Sequence, residues 1–169
     1  MQRNYWTTAL LVALLSFGLA ASASAQMALD LDPNPGDQGV RETPVKPGDE
    51  IKFQLVTTEP VKGLVGIEVE LKFDDKQVKF LGFMPAGVLQ GATSLPPSQK
   101  PGGVGIAVAL MGKQADSDQP VTLGEFKFGV APSMAGATMI ELKGGSLGTS
   151  AGTKKLKLAG GIKLFTGDA

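Results

Sequence analysis

"GLVGIEVELKFDDKQVKFLGF", Gly63 to Phe83, alternates apolar and polar residues over most of its length. A period of two places Ile67, Val69, Leu71 and Phe73 on one face and Glu68, Glu70 and Lys72 on the other, as a half-buried β-strand requires. Asp74 to Gln77 carry turn chemistry, and "VKFLGF" then resumes as sheet.

The neighbouring stretches repeat the pattern. Upstream, "QMALDLD" predicts a short strand, and a Pro-Gly-Asp turn at Pro47 to Asp49 leads into a strand with Ile51, Phe53 and Leu55 on one face and Lys52 and Gln54 on the other. Downstream, "GVGIAVALMG", "VTLGEFKFGV", "TMIELKGG" and "KKLKLAGGIKLF" read as further strands, separated by Gly, Pro, Asn and Asp. After residue 25 no stretch holds an apolar 3.6-residue period for three turns, so the expectation is an all-β sandwich. "MPAGVLQGATSLPPSQKPGG" and "GKQADSDQPVT" break the pattern and predict an exposed loop, with or without one short strand, and a polar loop whose Asp116 and Asp118 read as solvated carboxylates, the alternative being contact with a cation. No internal repeat is visible.

The first 25 residues have a different character. Arg3 heads an apolar run from Ala9 to Ala20, and Ala23 and Ala25 frame a small-residue cleavage motif. The run is shorter than the roughly 20 residues a membrane span needs. It predicts a signal peptide over residues 1–25, cleaved after Ala25, and one exported domain over 26–169, expected to be a monomer without a membrane span. Periplasm and extracellular space both fit.

Composition then removes most chemistries. The chain has no Cys and no His, and its only Trp and Tyr are Trp6 and Tyr5. Residues 26–169 therefore lack disulfides, a thiol nucleophile, the commonest general base and the usual zinc, copper and haem ligands. Formal charge is zero over the whole chain, which leaves no basic footprint for nucleic acid. No S-x-x-K motif offers a Ser–Lys nucleophile, and chance proximity of two carboxylates is no argument for a glycosidase. No enzyme and no cofactor are expected. "DLDPNPGD" sets Asp30, Asp32 and Asn34 at alternate positions like half of an EF-hand loop, but Pro35 stands where that loop needs glycine and Arg41 where it needs a bidentate acid. The reading there is a strand end and turn, with no metal.

The order of "VKPGDEIKFQL", "VKGLVGIEVELKFDDKQVKFLGF", "AGVLQGA", "PGGVGIAVAL", "LGEFKFGV" and "GGIKLF" resembles the cohesin domain across about Ala28 to Phe165. The resemblance implies a two-sheet jelly-roll of about nine strands that binds a dockerin, a small calcium-loaded helical module, in assemblies that degrade plant polysaccharides. It also implies that the strand containing Glu68 contributes polar side chains to the partner face. Gly66 departs from members that carry a hydrogen-bonding side chain at that position.

A partner face can be drawn from the residues themselves. Glu68, Glu70 and Lys72 form an outward polar row. In "GVGIAVALMG", Val104, Ile106, Val108 and Leu110 point inward, leaving Gly105, Ala107, Ala109 and Met111 outward as a small apolar strip. If the two strands share a sheet, as the resemblance implies, Ala107, Ala109 and Met111 lie beside the charged row and a partner helix has a bed. The alternatives are an ordinary solvated face for the first strand and, for the second, a strand covered on both sides by the protein's own loops. A carbohydrate-binding module is the rival function. It lacks the Trp and Tyr platforms such modules stack on sugars, which leaves only recognition of a glycan by polar groups in a groove.

Overall fold

The computed structural model describes residues 26–167, so the predicted signal peptide lies outside the described residues. Those residues form β1 (Met27–Asp30), β2 (Glu42–Val45), β3 (Glu50–Thr57), β4 (Val61–Phe73), β5 (Val78–Pro85), β6 (Thr93–Ser94), β7 (Ser98–Lys100), β8 (Gly103–Ala109), β9 (Ala115–Ser117), β10 (Thr122–Val130), β11 (Ala137–Thr149), β12 (Gly152–Lys155) and β13 (Gly161–Thr166). A single 3-10 turn, Gly87–Leu89, interrupts them. Among the described residues no helix is long and apolar enough to cross a membrane.

Two sheets result. One has the order β1-β3-β10-β5; the other runs β2-β13-β11-β4-β8-β6, with β12 paired to β11, β7 to β8 and β9 to β4. The opening stretch is the β4–β5 pair, and its two strands fall in different sheets, so the turn at Asp74–Gln77 crosses the sandwich instead of closing a hairpin. Inward faces meet in one core that includes Phe53, Leu55, Val69, Leu71, Val104, Phe126, Phe128, Ile140 and Leu164. At its centre, Phe126 touches Phe83 at 4.7 Å and Phe53 at 5.4 Å between ring centroids, and Phe128 meets Phe73 edge-on at 5.0 Å. These contacts exploit the favourable offset and edge-to-face geometries of aromatic pairs.

Strand number exceeds the expected nine because the two irregular segments are not plain loops and because "KKLKLAGGIKLF", expected as one strand, is divided between the end of β12 and β13, which pair with different parts of β11. The Pro-rich stretch contributes β6 and β7, both added to the edge of β8. The polar one contributes β9, which pairs with the start of β4. There the Asp116 carboxylate accepts the Gly63 N–H, and Asp118 pairs with Lys62, a contact that lowers the Asp118 pKa and raises that of Lys62.

A second difference concerns β3. Gln54, expected to face solvent, is buried. Its amide donates to the backbone oxygens of Asp32 (2.8 Å) and Asn34 (2.9 Å) and accepts from the Thr122 hydroxyl, so the 31–40 loop lies over this end of the smaller sheet. Asp30 organises that loop. Its carboxylate is fully buried and accepts the N–H groups of Asp32 (2.9 Å), Gly39 (3.0 Å), Val40 (3.2 Å) and Gln38, with Arg41 at 3.6 Å. The Asp-x-Asp-x-Asn spacing is thus a strand end and turn built on backbone donors. Asp32 makes the next turn in the same way, accepting the Asn34 N–H at 2.8 Å.

Candidate functional site

The larger sheet turns its outer face to solvent along β11, β4 and β8, and the register of these strands sets the composition of that face. One cross-strand row reads Lys155, Ser146, Glu68, Ala107. The next reads Gly144, Glu70, Gly105, Ser98. A third joins Gly148, Gly66, Ala109 and Thr93. Outward positions of the two strands flanking β4 are therefore Gly, Ala or Ser, while β4 itself raises Glu68 and Glu70. Longer side chains on β11 or β8 would have filled the space; their absence leaves a groove of about 670 Å³.

Its walls come from the added edges. On the β8 side stand Leu95 and Pro96, from the segment joining β6 to β7, and Ser98 of β7; on the β11 side stand Lys143, Lys155, Leu156 and Leu158. Leu95 is 58% exposed, a large apolar side chain at a groove rim. A register shift between Leu142 and Gly144 inserts Lys143 as an extra residue opposite β4, so that Lys143 borders the groove.

The charges inside differ in how they are engaged. Glu70 is ion-paired with Lys100 of β7, and Lys143 with Glu141 at 3.3 Å. Glu68 and Lys155 have no hydrogen-bond or ion-pair partner among the described residues. No group of three or more potential metal-binding side chains occurs among the described residues.

Of the six residues expected at the partner face, Glu68, Glu70 and Ala107 line the groove. Ala109 lies on the same face one row further along, opposite Gly66. Lys72 pairs in register with Glu141 and Gly103 and borders a separate depression with Phe73, Met139 and Lys163. Met111 is displaced: β8 ends at Ala109, the chain turns at Met111–Gly112, and Met111 projects from that turn, 73% exposed. Alternation carried past the strand end assigned it to the strip. Gly66 has a structural reason, because a Cβ there would sit 2.5 Å from the Val108 carbonyl oxygen.

Sequence reasoning missed the second small-residue channel, Gly144, Ser146 and Gly148 on β11. Its signal was present in "LKGGSLGTS", where Leu142 and Leu147 are buried and small residues take the outward positions, but glycine carries no hydropathy alternation to reveal a strand. The lysine-bearing wall was missed because Lys143 enters through a register shift and because Lys155 belongs to a separate short strand, β12, that folds back beside Ser146.

No family model and no curated protein matches the chain. Solved structures do. The sixth cohesin of scaffoldin B from Acetivibrio cellulolyticus, in a complex with a Cel5 dockerin mutant, superimposes with a TM-score of 0.64 at 10% identity, covering 85% of this chain and 99% of that one. CaCohA2 from Clostridium acetobutylicum gives 0.63 at 15% identity, over 86% and 94%. A non-cellulosomal cohesin from the archaeon Archaeoglobus fulgidus gives 0.58 at 14%, over 85% and 93%. The chain has the cohesin fold, a jelly-roll sandwich, at identities where the likeness is one of fold.

Proposed function

We propose that this protein is an exported, non-catalytic docking module that receives a helical, dockerin-type protein in the groove over β11, β4 and β8. The observation that carries the reading is the groove itself, where Gly, Ser and Ala on the two sides of an acidic row leave a trough on the larger sheet, bounded by Leu95 and Pro96 on one side and by Leu156, Leu158 and two lysines on the other. Neighbouring strands lie about 4.8 Å apart, so the trough from β12 across β11 and β4 to β8 spans about 14 Å, enough for a helix with its side chains, about 10 to 12 Å across. Two features support the partner class: the sequence resemblance, and the dockerin bound to a cohesin of the same fold. The N-terminal stretch supports export to the periplasm or beyond, and a polysaccharide-degrading or surface assembly is the setting this reading expects.

Capture of partners from the native secretome tests it. Immobilised wild-type protein is expected to retain a partner that Ala107→Trp, which fills the trough, releases. Charge reversal in Glu68→Lys/Glu70→Lys should weaken binding by on the order of 1 to 3 kcal/mol, as for interfacial charged hydrogen bonds. Stability should hardly change, because the Glu70–Lys100 pair is surface-exposed. Equal retention by the wild type and the folded Ala107→Trp protein would refute the assignment of this face.

A further inference from the structure

Glu68 and Lys155 are the groove's two charges without a partner among the described residues, and they occupy one cross-strand row, with Ser146 between them. Two strand spacings separate their backbones, about 10 Å. Between them runs the channel over β11, floored by Gly144, Ser146 and Gly148. One flank of that channel is acidic, with Glu68 and Glu70 of β4; the other carries Lys155 of β12, and Lys143 borders the channel from β11 itself, next to Gly144. Glu70 and Lys143 are already engaged within the protein, so Glu68 and Lys155 remain to interact with an occupant.

Resting on the docking reading above, we propose that the groove selects a helix carrying opposite charges on the two sides of its contact stripe: a Lys or Arg that reaches Glu68 and an Asp or Glu that reaches Lys155. The floor of Gly144, Ser146 and Gly148 leaves room for a stripe of small or compact apolar residues. Leu156 and Leu158 on one side, and Leu95 across the acidic ridge, cover its apolar shoulders. A helix charged alike on both flanks meets one matched wall and one repulsive wall. Because complementary charge juxtaposition attracts and like charge repels across a partly desolvated gap, the ranking of such helices is set by sign rather than by shape.

Three fluorescein-labelled, stapled helical peptides with the same small-residue stripe provide the probes. Their flanks carry Lys/Glu, Lys/Lys or Glu/Glu, and compensating charges on the solvent side equalise net charge. By fluorescence anisotropy at low salt, the wild type should bind the Lys/Glu peptide about tenfold tighter than either other. Lys155→Glu should shift the preference to Lys/Lys, and Glu68→Lys to Glu/Glu; thermal melts check that both variants remain folded. An unchanged ranking across the three proteins overturns the proposal, as does absence of binding by every peptide. A flat ranking with binding that is abolished by Ser146→Trp, which fills the channel between the two charges, removes the charge rule and leaves the docking reading standing. The docking reading fails separately, through partner capture that ignores Ala107→Trp.

Discussion

A carboxylate with no exposed surface is expensive unless its lone pairs are met, and Asp30 shows how one residue can secure a loop. Burial alone would push its pKa up. The N–H groups of Asp32, Gln38 and Gly39 outweigh that and hold the carboxyl below the ordinary carboxylate value. A depressed folded-state pKa contributes stability that is present above the unfolded value of about 3.9 and is lost as pH falls through the folded value. Urea unfolding of the wild type should therefore show stability declining below about pH 4. Asp30→Asn, which keeps the shape but removes the charge and one acceptor, should cost about 2 kcal/mol at neutral pH and flatten that acid slope. If the Asp30→Asn variant proved as stable as the wild type at neutral pH, the loop would be held by Gln54 and Thr122 alone.

Among the elements, close backbone approach rather than hydropathy decides several pairings. At Gly161 in β13 a Cβ would lie 2.1 Å from the Ile140 carbonyl oxygen and 2.7 Å from the Glu141 Cα, both backbone atoms of β11 that cannot step aside. Gly161→Ala should destabilise by about 1 to 3 kcal/mol, as overpacking does, whereas Gly82→Ala in β5, with nothing within 4 Å, should be close to neutral in the same denaturant titration. Similar costs for both would show that the β11–β13 contact relaxes freely. The sequence made the alternating strands legible: β4, β8 and β10 bury alternate residues as their patterns require. It could not show what alternation does not encode. Gln54 and Val56 are buried because a loop and neighbouring strands cover the second face of β3, and all of β1 is buried because the 157–159 segment pairs with it opposite β3. The acidic half of the groove followed from alternation in β4. Its basic half depended on a glycine-rich strand and an extra residue at Lys143, features that only the fold brings together.

Among the described residues most phenylalanines lie in the core, away from any face on which a sugar could stack. Phe53, Phe80, Phe126 and Phe128 are buried between the sheets, and Phe73 and Phe83 pack against the same cluster. Phe165 lies beneath the Lys163 ammonium, 5.7 Å from its ring centroid. No aromatic ring lines the groove, and residues 26–169 contain neither Trp nor Tyr. Sugar binding on a jelly-roll face draws much of its free energy from stacking apolar sugar faces on rings, and exposed carboxylates and lysines exchange water for sugar hydroxyls with little net gain. The prediction is that pull-downs with cellulose and chitin, and affinity electrophoresis in soluble β-glucans, show no retention at protein concentrations where a partner protein is bound. Micromolar retention on any of these polymers, lost in Ala107→Trp, would reassign the groove to a glycan recognised by hydrogen bonds alone. Glu68, Glu70 and Ser146 would then bind sugar hydroxyls, and charge reversal at Glu68 should abolish retention at high and low salt alike. A helical partner held by charge instead loses affinity steeply as salt rises, because at about 0.15 M the Debye length falls to about 8 Å, comparable to the width of the channel.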